Sequence, residues 1–305
     1  MKCLLTGASG FLGGAVGRAA MAAGHEVVAI GRTELASVEV LTGVVRTARP
    51  DCVLHFAGSA SVGESFAEPA GDFECSTALW FRVLDAVRRS GARPLVAFAS
   101  SAAVYGSPEE LPTPETAARR PESPYGFHKL MSEIAAEEFA CCFGLSVVAL
   151  RFFSIFGPHQ RRLLVWELFD QLRHGSAELR LRGTGAEERD YLAESEAGTA
   201  TIGLVEALRP GAGGFHALNV ASGASVSVRE LAERLLACSG CAAKIVVGKE
   251  SLPGNPAVWR ADVSALRNLL PGWHPRSFAE SLAECVTLWN EPSPASGVSP
   301  ATSLL

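Results

Sequence analysis

The chain has 305 residues, 48% hydrophobic and 19% charged, with a formal net charge of −5. That is enough apolar material for one large domain or two unequal ones, and an acidic balance without a basic run argues against nucleic acid as a partner. No stretch approaches the roughly 20 apolar residues of a membrane-spanning helix, and Met1 leads directly into a strand pattern with no signal-like segment, so a cytoplasmic protein is expected.

Residues 2–6 are a short apolar strand. Gly7, Gly10 and Gly13 follow, with Phe11 and Leu12 between the last two, and then a helical pattern to residue 23 and a second apolar run at 27–30. A glycine triplet between strand and helix permits a tight turn, close approach to a pyrophosphate and close helix packing, while the helix N-terminus offers amide donors. A dinucleotide cofactor is therefore expected on Gly7, Gly10, Phe11, Leu12 and Gly13. An acidic residue at the end of the second strand would accept from the adenosine ribose and repel a 2′-phosphate. Gly31 and Arg32 stand there instead, so the expected cofactor is NAD or NADP, with Arg32 able to pair with a phosphate or stack on adenine.

Residues 34–50 read as one helix, leading to a strand at 52–56. Phe56, Ala57 and Gly58 end that strand, and the small residues let a cofactor pass close to the backbone. His55 reads as a packed core histidine. A helix at 73–90 and a strand at 95–99 follow, the latter ending in Ala99, Ser100 and Ser101. Of the two serines, Ser101 is the one expected to face the site. A proline-rich loop then reaches a helix at 124–142 that carries Tyr125 and Lys129. Side chains four apart share a helix face, and an ammonium beside a phenol favours phenolate and fits the phenol for acid/base work near neutrality. The eight cysteines read as reduced thiols, and Cys238-x-x-Cys241 lacks the second pair or histidines of a metal site, so no metal is expected.

The Gly-x-x-Gly-x-x-Gly spacing, His55-Phe-Ala-Gly58, Val62-Gly-Glu-Ser65, Ser101-Ala-Ala-Val-Tyr-Gly106 and Ser123-Pro-Tyr-Gly126 with Lys129-Leu-Met131 together resemble the extended short-chain dehydrogenases of the NAD-dependent epimerase/dehydratase family, most closely the nucleotide-sugar 4-epimerases. The resemblance implies an α/β fold, with a Rossmann doubly wound parallel sheet and a smaller α/β substrate-binding domain. It implies a dinucleotide-binding domain over 1–152 with return segments near 190–220, and a substrate domain mainly over 153–290. Residues 291–305, rich in Pro and Ser, read as a disordered tail. The resemblance makes Ser101, Tyr125 and Lys129 catalytic and gives Lys129 the nicotinamide ribose. It extends the cofactor set to Phe56, Ala57, Gly58 and Ala99, and implies substrate contacts at Ser61, Ala102 and Ser154. Arg189 and Arg260 fit a diphosphate, since a guanidinium matches phosphate oxygens bidentately.

The implied reaction is reversible hydride transfer at a sugar carbon, C4, of a nucleotide-diphosphate hexose, in a homodimer joined by a four-helix interface. Several residues depart from the pattern. Ala60 replaces a lysine, Cys75 and Thr77 stand where asparagines are usual, and Glu194, Ser195 and Glu196 replace Val-Asp-Asp. Ala102 and Ala103 replace the Asp-Glu pair of the dehydratases. The alternatives are an NADPH-dependent keto-sugar reductase and a non-catalytic dinucleotide-binding regulator.

Overall fold

The first half of the chain alternates strand and helix. In order it forms β1 (Lys2–Thr6), α1 (Phe11–Ala22), β2 (Glu26–Ile30), α2 (Arg32–Leu35), α3 (Val38–Ala48) and β3 (Cys52–His55). Then come α4 (Val62–Ala67), α5 (Pro69–Phe73), a π-helical turn (Glu74–Ala78), α6 (Leu79–Ser90), β4 (Leu95–Ser101), α7 (Pro124–Phe143) and β5 (Ser146–Phe152). The computed structural model describes residues 1–208, 213–248, 254 and 256–291. The expected tail therefore lies, from residue 292 on, outside the described residues.

The second half forms β6 (Ser154–Phe156), α8 (Leu164–Arg173), β7 (Glu178–Leu181), β8 (Glu188–Ala193), α9 (Glu194–Ala207) and β9 (Gly214–Val220). It closes with β10 (Ser225–Ser227), α10 (Val228–Ser239), β11 (Lys244–Val247), β12 (Val258–Trp259), α11 (Ser264–Leu269) and α12 (Phe278–Asn290).

Six strands form one sheet in the order β2-β1-β3-β4-β5-β9, and every pair is parallel. The order reverses direction at β1, as in doubly wound folds, and helices cover both faces. Leu5, Leu54, Ala97 and Leu150 pack with Val16 and Ala200 on one side of the sheet. Leu4, Val53, Val96 and Ala149 pack with Val45, Leu84 and Phe139 on the other. Apolar runs buried on both faces are what such interior strands require. The chain returns to this sheet through α9, which packs on α1, and β9, which adds the edge strand. Residues 188–193 instead belong to a second sheet, β10-β8-β12 with β6 also on β8, and a pair β11-β7 stands beside it. A separate core of Phe156, Leu168, Phe169, Leu231 and Leu282 fills this part.

Two details correct the sequence reading. The single helix expected over 34–50 is two, α2 and α3. Ser37 is extended between them (φ −129°, ψ 135°) and caps α3, its Oγ accepting from the Glu39 amide at 3.1 Å. Capping of this kind is a serine preference that apolar periodicity does not reveal. The helix expected over 73–90 starts earlier, at Pro69, and passes through the π-helical turn before α6.

Candidate active site

The glycine turn lies where β1 meets β3. A Cβ on Gly7 (φ +73°) would sit 2.5 Å from the Ala57 nitrogen, and one on Gly13 would sit 2.1 Å from the Gly7 carbonyl oxygen. Thr6 Oγ1 accepts from the Ala57 amide at 3.3 Å and also meets His55 Nδ1 at 2.8 Å. Gly7 is therefore drawn against the backbone of Phe56 and Ala57, and Gly13 against Gly7 and the Phe56 side chain, with no room for a Cβ on either, while the Gly10 amide closes the turn by donating to the Gly7 carbonyl at 2.9 Å. A dinucleotide pyrophosphate fits this cradle, since it needs bare backbone and the amides at the start of α1. His55 is a packed core residue: it stacks on Trp80 at 5.2 Å, and burial holds its imidazole down to about 3, with the Lys129 charge adding to the shift.

Tyr125 and Lys129 lie on the first turns of α7. Ser123 caps this helix, accepting from the Gly126 amide at 3.1 Å, and Pro124 occupies the first turn. A Cβ on Gly126 would sit 2.7 Å from the Ala103 carbonyl, so α7 presses directly on the short turn that follows β4. That contact sets the Ser101 hydroxyl close to the Tyr125 phenol, near enough to favour its ionised form. Lys129 Nζ donates to the Ala99 carbonyl at 2.8 Å and lies 5.6 Å from the Tyr125 ring centroid. Ser65 Oγ accepts from the Tyr125 amide at 3.0 Å and brings α4, capped by Ser61, against the same corner.

Burial dominates the electrostatics of this corner. It pushes the Tyr125 phenol up to about 12, opposed by the Ser101 hydroxyl and reinforced by the Asp72 carboxylate. It pulls the Lys129 ammonium down to about 8, opposed by Asp72. The lysine bonds a carbonyl rather than the phenol oxygen, so among protein groups the tuning of Tyr125 falls to Ser101. This differs from the expectation that the i,i+4 lysine lowers the phenol.

Three contributors were not singled out from sequence. Ser76 Oγ accepts from the Ser59 amide at 3.3 Å and so holds the segment after Gly58. Asp72 is buried and paired with His128, and its Oδ1 has no hydrogen-bond partner among the described residues. Glu34 Oε2 accepts from the Gly31 amide at 3.0 Å, at the end of β2. Only the last had a readable signal, a glutamate three residues after a helix start.

The substrate-side residues are more scattered. Ala102 is fully buried in the turn after β4. Ser154 is half-buried, paired in register with Tyr191 of β8. Arg189 is buried on β8, donating Nη1 to the Glu188 carbonyl at 2.6 Å with its guanidinium 5.1 Å from the Trp259 ring centroid. Arg260 directly follows Trp259, the residue opposite Arg189 in the β12–β8 register, and its Nε is buried without a hydrogen-bond partner among the described residues. Trp259 Nε1 donates to the Gly106 carbonyl at 3.0 Å, which ties this sheet to the loop between β4 and α7. Glu194, one of the departures, is buried at the start of α9, where it pairs with Arg18 at 2.9 Å and with His159. A cavity of about 420 Å³ lies between α8 and β7, lined by Arg161, Arg162, Arg180, Arg182 and Trp166 among others.

The model of the NAD dependent epimerase/dehydratase family matches residues 3–221. A UDP-glucose 4-epimerase of Azospirillum brasilense is 33% identical over 308 residues, spanning 90% of this chain and 87% of that protein. Among solved structures, the UDP-glucose 4-epimerase of Thermotoga maritima, with UDP-glucose, has a TM-score of 0.83 at 26% identity, covering 95% of this chain and 98% of that one. The UDP-glucose 4-epimerase of Thermus thermophilus, with NAD, has a TM-score of 0.84 at 25% identity, covering 96% and 100%.

Proposed function

The chain belongs to the NAD dependent epimerase/dehydratase family, and from that premise we propose that it epimerises a nucleotide-diphosphate hexose at C4, with a UDP-hexose as the first substrate to try. One observation carries the reading: Tyr125, Ser101 and Lys129 meet in a buried corner at the same end of the sheet as the glycine cradle. Gly7, Gly10, Phe11, Leu12 and Gly13 hold the pyrophosphate of the cofactor, Phe56, Ala57, Gly58 and Ala99 line its path, and Lys129 reaches the nicotinamide ribose. When bound, the cofactor supplies the acceptor and donor of hydride for a sugar carbon. Tyr125 takes the proton of the sugar hydroxyl at its phenolic oxygen and returns it to the same sugar oxygen once the turned 4-keto sugar has taken hydride back on its other face. Ser101 donates to the same oxygens and orients them. Lys129 fixes the ribose through its ammonium, which is tied to the Ala99 carbonyl, and leaves the tuning of the phenol to Ser101. Ser61, Ala102 and Ser154 contact the sugar, and Arg189 and Arg260 take the diphosphate.

A four-helix homodimer is part of this proposal. Phe127, Met131 and Ile134 form a stripe on α7 at 43–51% exposure, and Phe81 on α6 is 43% exposed. Residues spaced by four and three share a helix face, and paired α6–α7 faces would cover it. Light scattering of the purified chain tests it, a monomer being the opposing result. A cytoplasmic setting is proposed because all eight cysteines are free thiols. No described helix is long and apolar enough to cross a membrane.

The test is conversion of UDP-glucose to UDP-galactose, followed by other nucleotide hexoses, with Tyr125→Phe beside the wild type. The variant is expected to bind cofactor normally and to lose about 10²–10⁴-fold in turnover, the range for a positioned acid/base. Unchanged turnover would place the chemistry elsewhere. The second reading, an NADPH-dependent keto-sugar reductase, is favoured by Gly31-Arg32 and by Ala60 in place of a lysine. Net oxidation of NADPH with a 4-keto sugar, without epimerisation, would select it. A regulator without catalysis predicts no turnover in either assay.

A further inference from the structure

We propose that Asp72, anchored by His128, is a positioning residue of the reaction: a buried counter-charge that keeps Lys129 an ammonium able to hold the cofactor ribose. The inference rests on the reading of Lys129 given above and adds the residue that sustains its charge.

Lys129 is buried, and its hydrogen bond goes to the neutral Ala99 carbonyl at 2.8 Å. The two carboxylates buried around α7 both bond elsewhere, Glu133 to Arg151 and Arg119, and Asp72 to His128. A lysine so placed tends to give up its proton, because burial penalises the charged form. His128 and Lys129 follow Tyr125 by three and four residues, so the three share one side of α7. α5 packs there. Asp72 Oδ2 bonds His128 Nδ1, and the Phe73 ring meets the imidazole edge-on, the centroids 5.6 Å apart. The π-helical turn that follows locks this arrangement. Thr77 Oγ1 donates to the His128 carbonyl at 2.9 Å, and Cys75 Sγ to the Asp72 carbonyl at 3.5 Å. Such turns are frequent at functional sites.

Asp72 differs from the other buried acids. Glu133 and Glu194 are matched by arginines. Asp190 accepts from the Ser222 and Gly223 amides at 2.8 and 2.9 Å, and Glu187 from the Thr184 and Gly185 amides at 2.9 Å. Asp72 has His128, and its Oδ1 is buried without a hydrogen-bond partner among the described residues. A neutral imidazole donating from Nδ1 leaves the full negative charge on the carboxylate. A charge buried in this way is costly, and such groups gather where their charge is used. The Asp72 charge opposes the fall that burial imposes on the Lys129 ammonium, and in the same sense it holds the proton on Tyr125. Of the other titratable groups around this corner, His55 of β3 is held neutral by burial. Glu68, Glu74 and Cys75 are exposed, and Glu64 of α4 is exposed and turned to Arg162 at 3.4 Å.

Lys129 is one of four lysines in the chain, so NMR of the full-length protein with carbon-labelled lysine reads its protonation directly, Lys129→Met assigning the signal. The wild type is expected to titrate with a midpoint at about 8. Asp72→Asn keeps the shape and a partner for His128 but removes the charge. It is expected to lower that midpoint by about one pH unit, and the alkaline limb of kcat/KM with UDP-glucose should move down with it. His128→Asn removes the ring but keeps a donor for Asp72, and the Lys129 midpoint should stay in place. Three results would each overturn the role of Asp72 while leaving the catalytic corner intact: an unchanged midpoint in Asp72→Asn, an alkaline limb that stays put while the midpoint falls, or an equal fall in His128→Asn, which would trace the effect to packing. A lowered midpoint in Asp72→Asn of a protein that converts no nucleotide hexose would support the counter-charge and count against the proposed reaction alone.

Discussion

Ser100 and Ser101 are adjacent on β4 and enter two buried polar regions of different character. Ser100 donates to Glu133 Oε1 at 2.6 Å, and Glu133 is gripped bidentately by Arg151 at 2.9 and 2.7 Å. Arg151 also donates to the Tyr105 hydroxyl at 2.8 Å, and that hydroxyl donates to Asn219 at 2.7 Å. This network joins α7, β4, β5 and β9, and every charge in it is matched. Next to it, Ser101 faces a phenol and an ammonium whose charged forms burial both disfavours, with one oxygen of Asp72 left without a hydrogen-bond partner among the described residues. A closed network fixes the scaffold; an incompletely matched one is where chemistry can be done.

The contrast makes graded predictions. The largest effect is on the closed side: Glu133→Ala strands a buried arginine and is expected to cost about 3–5 kcal/mol of unfolding free energy. Denaturant titration checks it, and a loss under about 1 kcal/mol would mean that Arg151 finds water or another partner. The two serines sharpen the comparison. Ser101→Ala is expected to lower kcat by about 10- to 100-fold, the equivalent of one hydrogen bond to a charged group, with little change in stability. Ser100→Ala is expected to do the reverse, costing about 1–3 kcal/mol of stability with kcat nearly unchanged. Equal effects of the two on kcat would erase the distinction between the two regions.

The smallest effect per step is in acid. His55 is depressed from its ordinary 6.5 to about 3, so between these values the unfolded chain binds the proton and the folded one does not. Its contribution to stability is complete above about pH 6.5 and is lost as the pH falls through about 3, at ~1.4 kcal/mol per pH unit in between. Unfolding curves from pH 7 to 5 for wild type and His55→Gln test this. The variant should show the shallower decline, and parallel declines would remove His55 from the account.

Features with local geometry were legible in the chain before any folding was considered. The glycine triplet dictates a bare backbone turn because no side chain fits there, and the spacing of Tyr125 and Lys129 places both on one helix face because the repeat is 3.6 residues. Apolar runs at β1, β3, β4 and β5 dictate a buried parallel sheet. Features that depend on partners distant in the chain emerged only from packing. Ser100 differs from Ser101 because Glu133, held by Arg151, meets one hydroxyl and Tyr125 the other. Lys129 turns to the Ala99 carbonyl rather than the phenol because α7 packs tightly on the turn after β4. Periodicity records which face of an element is apolar, but it does not record which polar groups two elements bring together, and those pairings fix the protonation and reach of each side chain.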